Sequence, residues 1–221
     1  MVNRLIQALI VAALAATTTL VAAGPASADR WWGGERAGDV RQWSYSPEPP
    51  PCGTTEVTAL PRDASTDIVG LSVRHEDDAV DVAAHFRDLA GWGDRWLDFS
   101  LRTDGRDYEI LLRRDPARHA NASVLWDSSQ PPFGPNECES YAVLLGGVVC
   151  PDLTMERSSR LDVVSVEVPR SCLGSPRWVR AGVGNRRAVD GLTRFDTWRT
   201  AEPGEPPSSV GALGPRVRHS R

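Results

Sequence analysis

Apolar and polar residues alternate with a period of two through the middle of the chain. Val69, Leu71 and Val73 are separated by Gly70 and Ser72, and Val80, Val82, Ala84 and Phe86 by Asp81, Ala83 and His85. Leu97, Phe99 and Leu101 alternate with Asp98 and Ser100, and Tyr108, Ile110 and Leu112 with Glu109 and Leu111. Val164, Val166 and Val168 enclose Ser165 and Glu167, and Val179, Ala181 and Val183 enclose Arg180 and Gly182. A strand sends successive side chains to opposite faces, so each run predicts one buried and one wet face. Turn residues at Glu76-Asp77-Asp78, Asp104-Gly105 and Ser158-Ser159 separate the runs. Together they predict antiparallel sheets packed face to face, an all-β, jelly-roll-like β-sandwich. No ten-residue stretch carries a convincing helical stripe. The segment from Arg170 to Gly174 predicts one helical turn, closed by the glycine.

The ends depart from this pattern. Met1 to Arg4 is a short basic start, Leu5 to Ala23 is apolar or Thr, and Gly24-Pro25-Ala26-Ser27-Ala28 follows. The apolar run approaches the roughly 20 residues of a spanning helix. Its small-residue end and the break at Gly24-Pro25 suit a signal peptidase better, so residues 1–28 are predicted to be a signal peptide, cleaved before Asp29. The mature protein is then secreted and extracellular, with no stable membrane anchor after cleavage. Residues 29–53 form a Pro/Trp-rich lead segment, 54–200 the β-sandwich domain, and 201–221 a tail whose composition predicts disorder.

The compartment changes the reading of the cysteines. Cys52, Cys138, Cys150 and Cys172 allow three pairings. Their spacings match no zinc pattern, and an oxidising compartment favours structural disulfides. Cys150 precedes a predicted strand around Leu153-Met155, and Cys172 follows the strand ending at Val168. Antiparallel neighbours bring those two cysteines to one end of a sheet. The expected bridges are therefore Cys150–Cys172 and Cys52–Cys138, each contributing about 3–5 kcal/mol in the chain-entropy account. The 25 basic residues, all Arg, stand against 29 acids; loss of Arg4 leaves 24 against 29, a formal charge of −5. That balance argues against a nucleic-acid partner.

Several stretches carry a resemblance. They are Asp67-Ile68-Val69-Gly70-Leu71-Ser72-Val73-Arg74-His75, Val80 through Leu89, Cys150-Pro151-Asp152-Leu153, Val168 through Pro176, and Trp178-Val179-Arg180. Over residues 60–187 the chain resembles an uncharacterised group of secreted actinobacterial proteins. More distantly it is similar to DOMON domains and family 9 carbohydrate-binding modules, which are β-sandwiches that bind sugars, haem or no known ligand. The resemblance implies a sandwich scaffold and leaves its site open. Haem-binding members use Met and His ligands. Met155 is the only Met left after cleavage, and no His can be placed opposite it from sequence.

Candidate chemistry is sparse. No nucleophile elbow, zincin, phosphate-loop or dinucleotide motif occurs. His75 is in register with the buried face and reads as a strand-end imidazole; His85 alternates outward and reads as solvated. Acids gather at Asp63 and Asp67, at Glu76-Asp77-Asp78 and at Asp81. Such loops suit calcium, yet Asp is also a default turn residue, so calcium stays unassigned and no cofactor or metal ligand is named. The aromatics give the better lead. Trp92 and Trp96 bracket Gly93-Asp94-Arg95 in a loop before the third run, and Trp126 opens another stretch read as a loop. An exposed indole offers a flat face to a sugar ring; a buried one closes the end of the core. The expectation is a secreted, non-enzymatic module binding an extracellular glycan or cell-surface ligand through Trp92 and Trp96. The alternatives are a secreted hydrolase with dispersed catalytic residues, or a protease inhibitor presenting the loop from Gly134 to Cys138.

Overall fold

The computed structural model describes residues 30–46, 54–89, 95–115, 120–127, 147–199 and 211–219. In chain order its strands are β1 (Arg30–Gly34), β2 (Arg41–Ser46), β3 (Thr54–Ala59), β4 (Ile68–His75), β5 (Ala79–Phe86), β6 (Arg95–Thr103) and β7 (Asp107–Asp115). They continue with β8 (Ala120–Asp127), β9 (Gly147–Val148), β10 (Thr154–Ser158), β11 (Val163–Pro169), β12 (Trp178–Val189), β13 (Leu192–Thr197) and β14 (Val217–Arg218). All pairings are antiparallel. One sheet has the order β1-β4-β5-β11-β10; the other runs β3-β2-β13-β12-β6-β7-β8-β9, with β14 also paired to β12. The two pack face to face as a β-sandwich.

The alternating runs decide which faces meet. Leu71, Val73, Val82, Ala84, Val164 and Val166 turn inward from the smaller sheet onto Leu97, Phe99, Leu101, Ile110, Val179 and Val183 of the larger. Each such side chain contributes about 1.5–3 kcal/mol by leaving water. Glu76 to Asp78 form the β4–β5 turn, closed by Glu76 N–H donating to the Ala79 carbonyl at 2.9 Å. The β6–β7 hairpin is held by the Thr103 hydroxyl, which accepts from Gly105 and Arg106 N–H. Arg170–Leu173 form a single 3-10 turn, and Gly174 closes it at φ 71° in the left-handed region that favours glycine.

Cys150 and Cys172 are bridged, with Cα atoms 5.7 Å apart. β10 and β11 are the antiparallel neighbours that bring them together. Cys52 and Cys138 lie outside the described residues, as do the predicted signal peptide and the Gly134–Cys138 loop. No helix of the described residues is long and apolar enough to cross a membrane.

The sandwich reaches further in both directions than the alternation marked. β1 and β2 come from the lead segment and belong to opposite sheets. Residues 211–219, expected within a disordered tail, lie along β12: Gly214 N–H donates to the Ala181 carbonyl at 2.8 Å, and Val217 is buried. Composition missed them because a few residues hold each segment. Trp31 packs edge-on against the fully buried Trp198, and Gly211 lies so close to the Trp198 carbonyl that a Cβ there would collide with it. Such contacts do not need a long apolar run.

Candidate functional site: an open sheet face and a buried acid cluster

Two places among the described residues offer groups that could engage a ligand. The first is the outer face of the five-stranded sheet. Trp31 and Trp32 are adjacent on β1 and so point to opposite faces. Trp31 joins the core, whereas Trp32 is 55% exposed. Its register partners across the sheet are Ser72, then Ala83, Ser165 and Glu156, all small or polar. The indole lies over Gly70, where a Cβ would collide with the ring, and His85 meets it edge-on with centroids 4.4 Å apart. The absent side chain at Gly70 therefore leaves room for the ring. His85 is half-buried, its Nε2 3.0 Å from Ser72 Oγ, and burial holds its pKa below the ordinary histidine value. Beside this platform runs a groove of about 450 Å³, lined by Ser72, Arg74, Glu76, Asp81, Ala83, Thr154, Glu156, Ser165 and Glu167. It carries four carboxylates against one guanidinium, so its potential is negative.

The second place is at the end of the sandwich where β4 begins. Carboxylate oxygens of Asp39, Asp67 and Asp196 lie within 4.8 Å of one another. Asp39 comes from the β1–β2 connection, Asp67 from the residue before β4, and Asp196 from β13, so the cluster joins both sheets. Asp67 and Asp196 are buried. Asp196 accepts Ile68 N–H on Oδ2 at 2.6 Å and Thr197 N–H on Oδ1 at 2.9 Å. Asp67 Oδ2 accepts Gly38 N–H at 2.8 Å and is 3.1 Å from Arg87 Nη1. Asp67 Oδ1 is buried with no hydrogen-bond partner among the described residues. Glu35 adjoins the group, accepting Arg199 N–H on Oε2, while its buried Oε1 has no such partner.

The electrostatics follow from that crowding. Desolvation first, and then the neighbouring Asp39 and Asp67 charges, push the Glu35 pKa up to about 8, against the opposing hydrogen bond from Arg199. Asp196 is raised well above the ordinary carboxylate value, by burial first and then by Asp39, Glu35 and Asp67. Asp67 is raised by burial despite its Gly38 hydrogen bond and Arg87. A protein interior accepts a charge only when it is paired, hydrogen-bonded or neutralised. Arg87 pairs with Asp67 at 3.1 Å.

The residues singled out from sequence are distributed differently. Trp92 lies outside the described residues. Trp96 is half-buried on β6, on the side of the larger sheet opposite Leu97 and Phe99, with the Arg113 guanidinium 5.3 Å from its ring centroid. Trp126 is within β8, paired with Glu109 and Gly147, and not in a loop. His75 is fully buried at the end of β4, its Nδ1 3.3 Å from the Val217 carbonyl, in keeping with a capped strand-end imidazole. Of the acids, Asp63 serves a turn, accepting from Ser65 and Thr66 and pairing with Arg194 at 3.0 Å. Asp77 pairs with His219, and Glu76 and Asp81 with Arg74. Only Asp67 enters the cluster, with partners from positions 35, 39 and 196 that no local spacing links to it. Trp32 was missed because it stood in the Pro/Trp-rich lead segment, outside the alternating runs; the signal available was the Trp31-Trp32 pair followed by two glycines.

No family model, curated protein or solved structure matches this chain.

Proposed function

We propose that this chain is a secreted, non-enzymatic module that binds a saccharide on the outer face of its five-stranded sheet. The observation that carries the reading is Trp32, a large indole seated over Gly70 with more than half its surface open to solvent. Sugar rings present C–H faces that pack on an indole, while their hydroxyls need donors and acceptors alongside. Here Ser72, Arg74, Asp81, Glu156 and Glu167 provide them from the adjoining groove. The excess of carboxylates favours neutral or amino sugars over uronic acids. Secretion rests on the sequence of residues 1–28, and the Cys150–Cys172 disulfide suits an oxidising compartment.

Trp96 is the rival platform, but one face of its ring already carries Arg113. The hydrolase reading has one observation in its favour, the 3.0 Å contact between Ser72 Oγ and His85 Nε2. Two features oppose it. No side chain among the described residues orients the other ring nitrogen of His85. Ser72 also sits mid-strand between β1 and β5, where ladder pairing consumes the backbone N–H groups an oxyanion would need. The test is a glycan array on the mature protein, followed by titration of the best hit. Trp32→Ala should weaken binding at least tenfold, about 1.4 kcal/mol. Unchanged affinity in Trp32→Ala with loss in Trp96→Ala moves the site to the larger sheet, and covalent labelling of Ser72 by a fluorophosphonate sinks the non-enzymatic reading.

A further inference from the structure

The acid cluster is independent of the sheet face and is not explained by saccharide binding. Burying several carboxylates together is costly unless something neutralises them. Arg87 pairs with Asp67 through Oδ2. Asp67 Oδ1 is left fully buried with no hydrogen-bond partner among the described residues, and Glu35 Oε1 is in the same position. A turn or a capping role would have used those oxygens, as Asp63 uses both of its own on Ser65, Thr66 and Arg194.

We propose that Asp39, Asp67 and Asp196, with Glu35 beside them, bind a hard divalent cation of the calcium class. Calcium takes oxygen ligands at about 2.3–2.6 Å, so two ligands on opposite sides of one ion stand at most about 5 Å apart. The clustered oxygens, all within 4.8 Å of one another, fit around a single ion of that size. Aspartate carboxylates are hard ligands, and the described residues bring no sulfur or imidazole to the group, which disfavours zinc or copper. Backbone N–H groups on Asp196 and Gly38 N–H on Asp67 hold the carboxylates in place, as ligand-orienting contacts do. The ion would tie the β1–β2 connection to β4 and β13, closing one end of the sandwich across both sheets.

The test uses the mature protein stripped with EDTA and dialysed into chelator-free buffer near pH 7.5. Titration with calcium chloride followed by calorimetry should show one ion per chain. The thermal midpoint should rise by roughly 5–10 °C at a hundredfold excess over Kd. Asp196→Asn and Asp39→Asn should each abolish both responses, and Asp77→Asn, at the opposite end, should keep them. Asp39 is only half-buried, so its variant gives the answer if Asp196→Asn does not fold. Absence of calcium heat with an unchanged midpoint overturns the proposal. So does an equal rise from sodium chloride at matched ionic strength, or a full calcium response in Asp39→Asn.

Discussion

Trp198 and Trp32 are the same side chain in opposite circumstances, and one strand serves both. β1 sends Trp31 inward to meet Trp198 edge-on, with centroids 5.2 Å apart, and sends Trp32 outward to lie on Gly70. Trp198 is fully buried and donates its indole N–H to the Gly33 carbonyl at 3.1 Å. Its polar atom is satisfied and its surface used up. Trp32 leaves more than half of its surface in water, next to groups that could bond a ligand. Burial with every polar atom paired marks structure. An exposed aromatic on a prepared bed marks a binding surface, and so, from the other side, does a buried acid whose oxygen has no partner. The acid cluster lies in the same inner region as Trp198, through Asp196 and Arg199 on either side of it, yet shares the incompleteness of the outer face.

The largest expected effect tests the inner side of this contrast. Trp198→Ala removes a ring that packs against Trp31 and Gly33 of β1 and donates to the Gly33 carbonyl. It should cost about 3–5 kcal/mol of stability, read from denaturant unfolding. A loss below about 1 kcal/mol would mean that the lead segment is not joined to the sandwich through this side chain.

A medium effect separates the acid cluster from the satisfied core around it. Glu35 faces Asp39, Asp67 and Asp196, with Arg199 and Arg87 as the cations nearby. Its pKa in the folded state is about 8 against an ordinary 4.5, so the fold favours the protonated acid. The stability from that group is complete below the unfolded value and is lost as pH rises through the folded one. His75 works in the opposite direction. Burial first, against the Val217 hydrogen bond and with Arg170 and His219 adding to the depression, lowers its pKa from 6.5, so its contribution is lost as pH falls below that value. Between pH 7 and pH 8.5 only the acids should set the slope. In EDTA the thermal midpoint should therefore fall across that window, and calcium should flatten the profile. A midpoint that is level in EDTA would show that the cluster carries no excess charge to be neutralised.

The two regions differed as much in how well the sequence foretold them. The period-two runs located β4, β5, β6, β7, β11 and β12, because a half-buried strand writes its burial into alternate positions. The Cys150–Cys172 bridge followed from the same logic, since strand neighbours bring their ends together. β1, β2 and β14 stayed hidden because single residues anchor them: Trp31 for β1, Val217 for β14. The cluster was invisible for another reason. Glu35, Asp39, Asp67 and Asp196 are brought together by β13 pairing with β2 and by β1 pairing with β4. Before that topology is known, Asp63 and Asp67 look alike, although one closes a turn and the other faces three carboxylates.

The smallest expected effect on stability is also the sharpest probe of the outer face. In Gly70→Ala the new methyl group would enter the space beneath the Trp32 ring. The backbone at Gly70 does not require a positive φ, and alanine in a strand interior gains roughly 0.5–1 kcal/mol over glycine by restricting the unfolded chain. Against that gain stands the displacement of one exposed side chain, which can swing into solvent without disturbing the core. The two should nearly cancel, leaving the stability within about 0.5 kcal/mol of the parent. Saccharide affinity should fall nonetheless, because the indole is present but no longer seated over Gly70 beside the groove. Trp32→Ala removes the ring and cannot distinguish its presence from its orientation; Gly70→Ala keeps the ring and changes only its orientation. If Gly70→Ala binds as well as the parent while Trp32→Ala does not, the ring acts as loose apolar surface and the glycine bed has no role in recognition. If Gly70→Ala unfolds the protein, the outer face is as tightly packed as the Trp198 side, and the distinction between the two tryptophans fails.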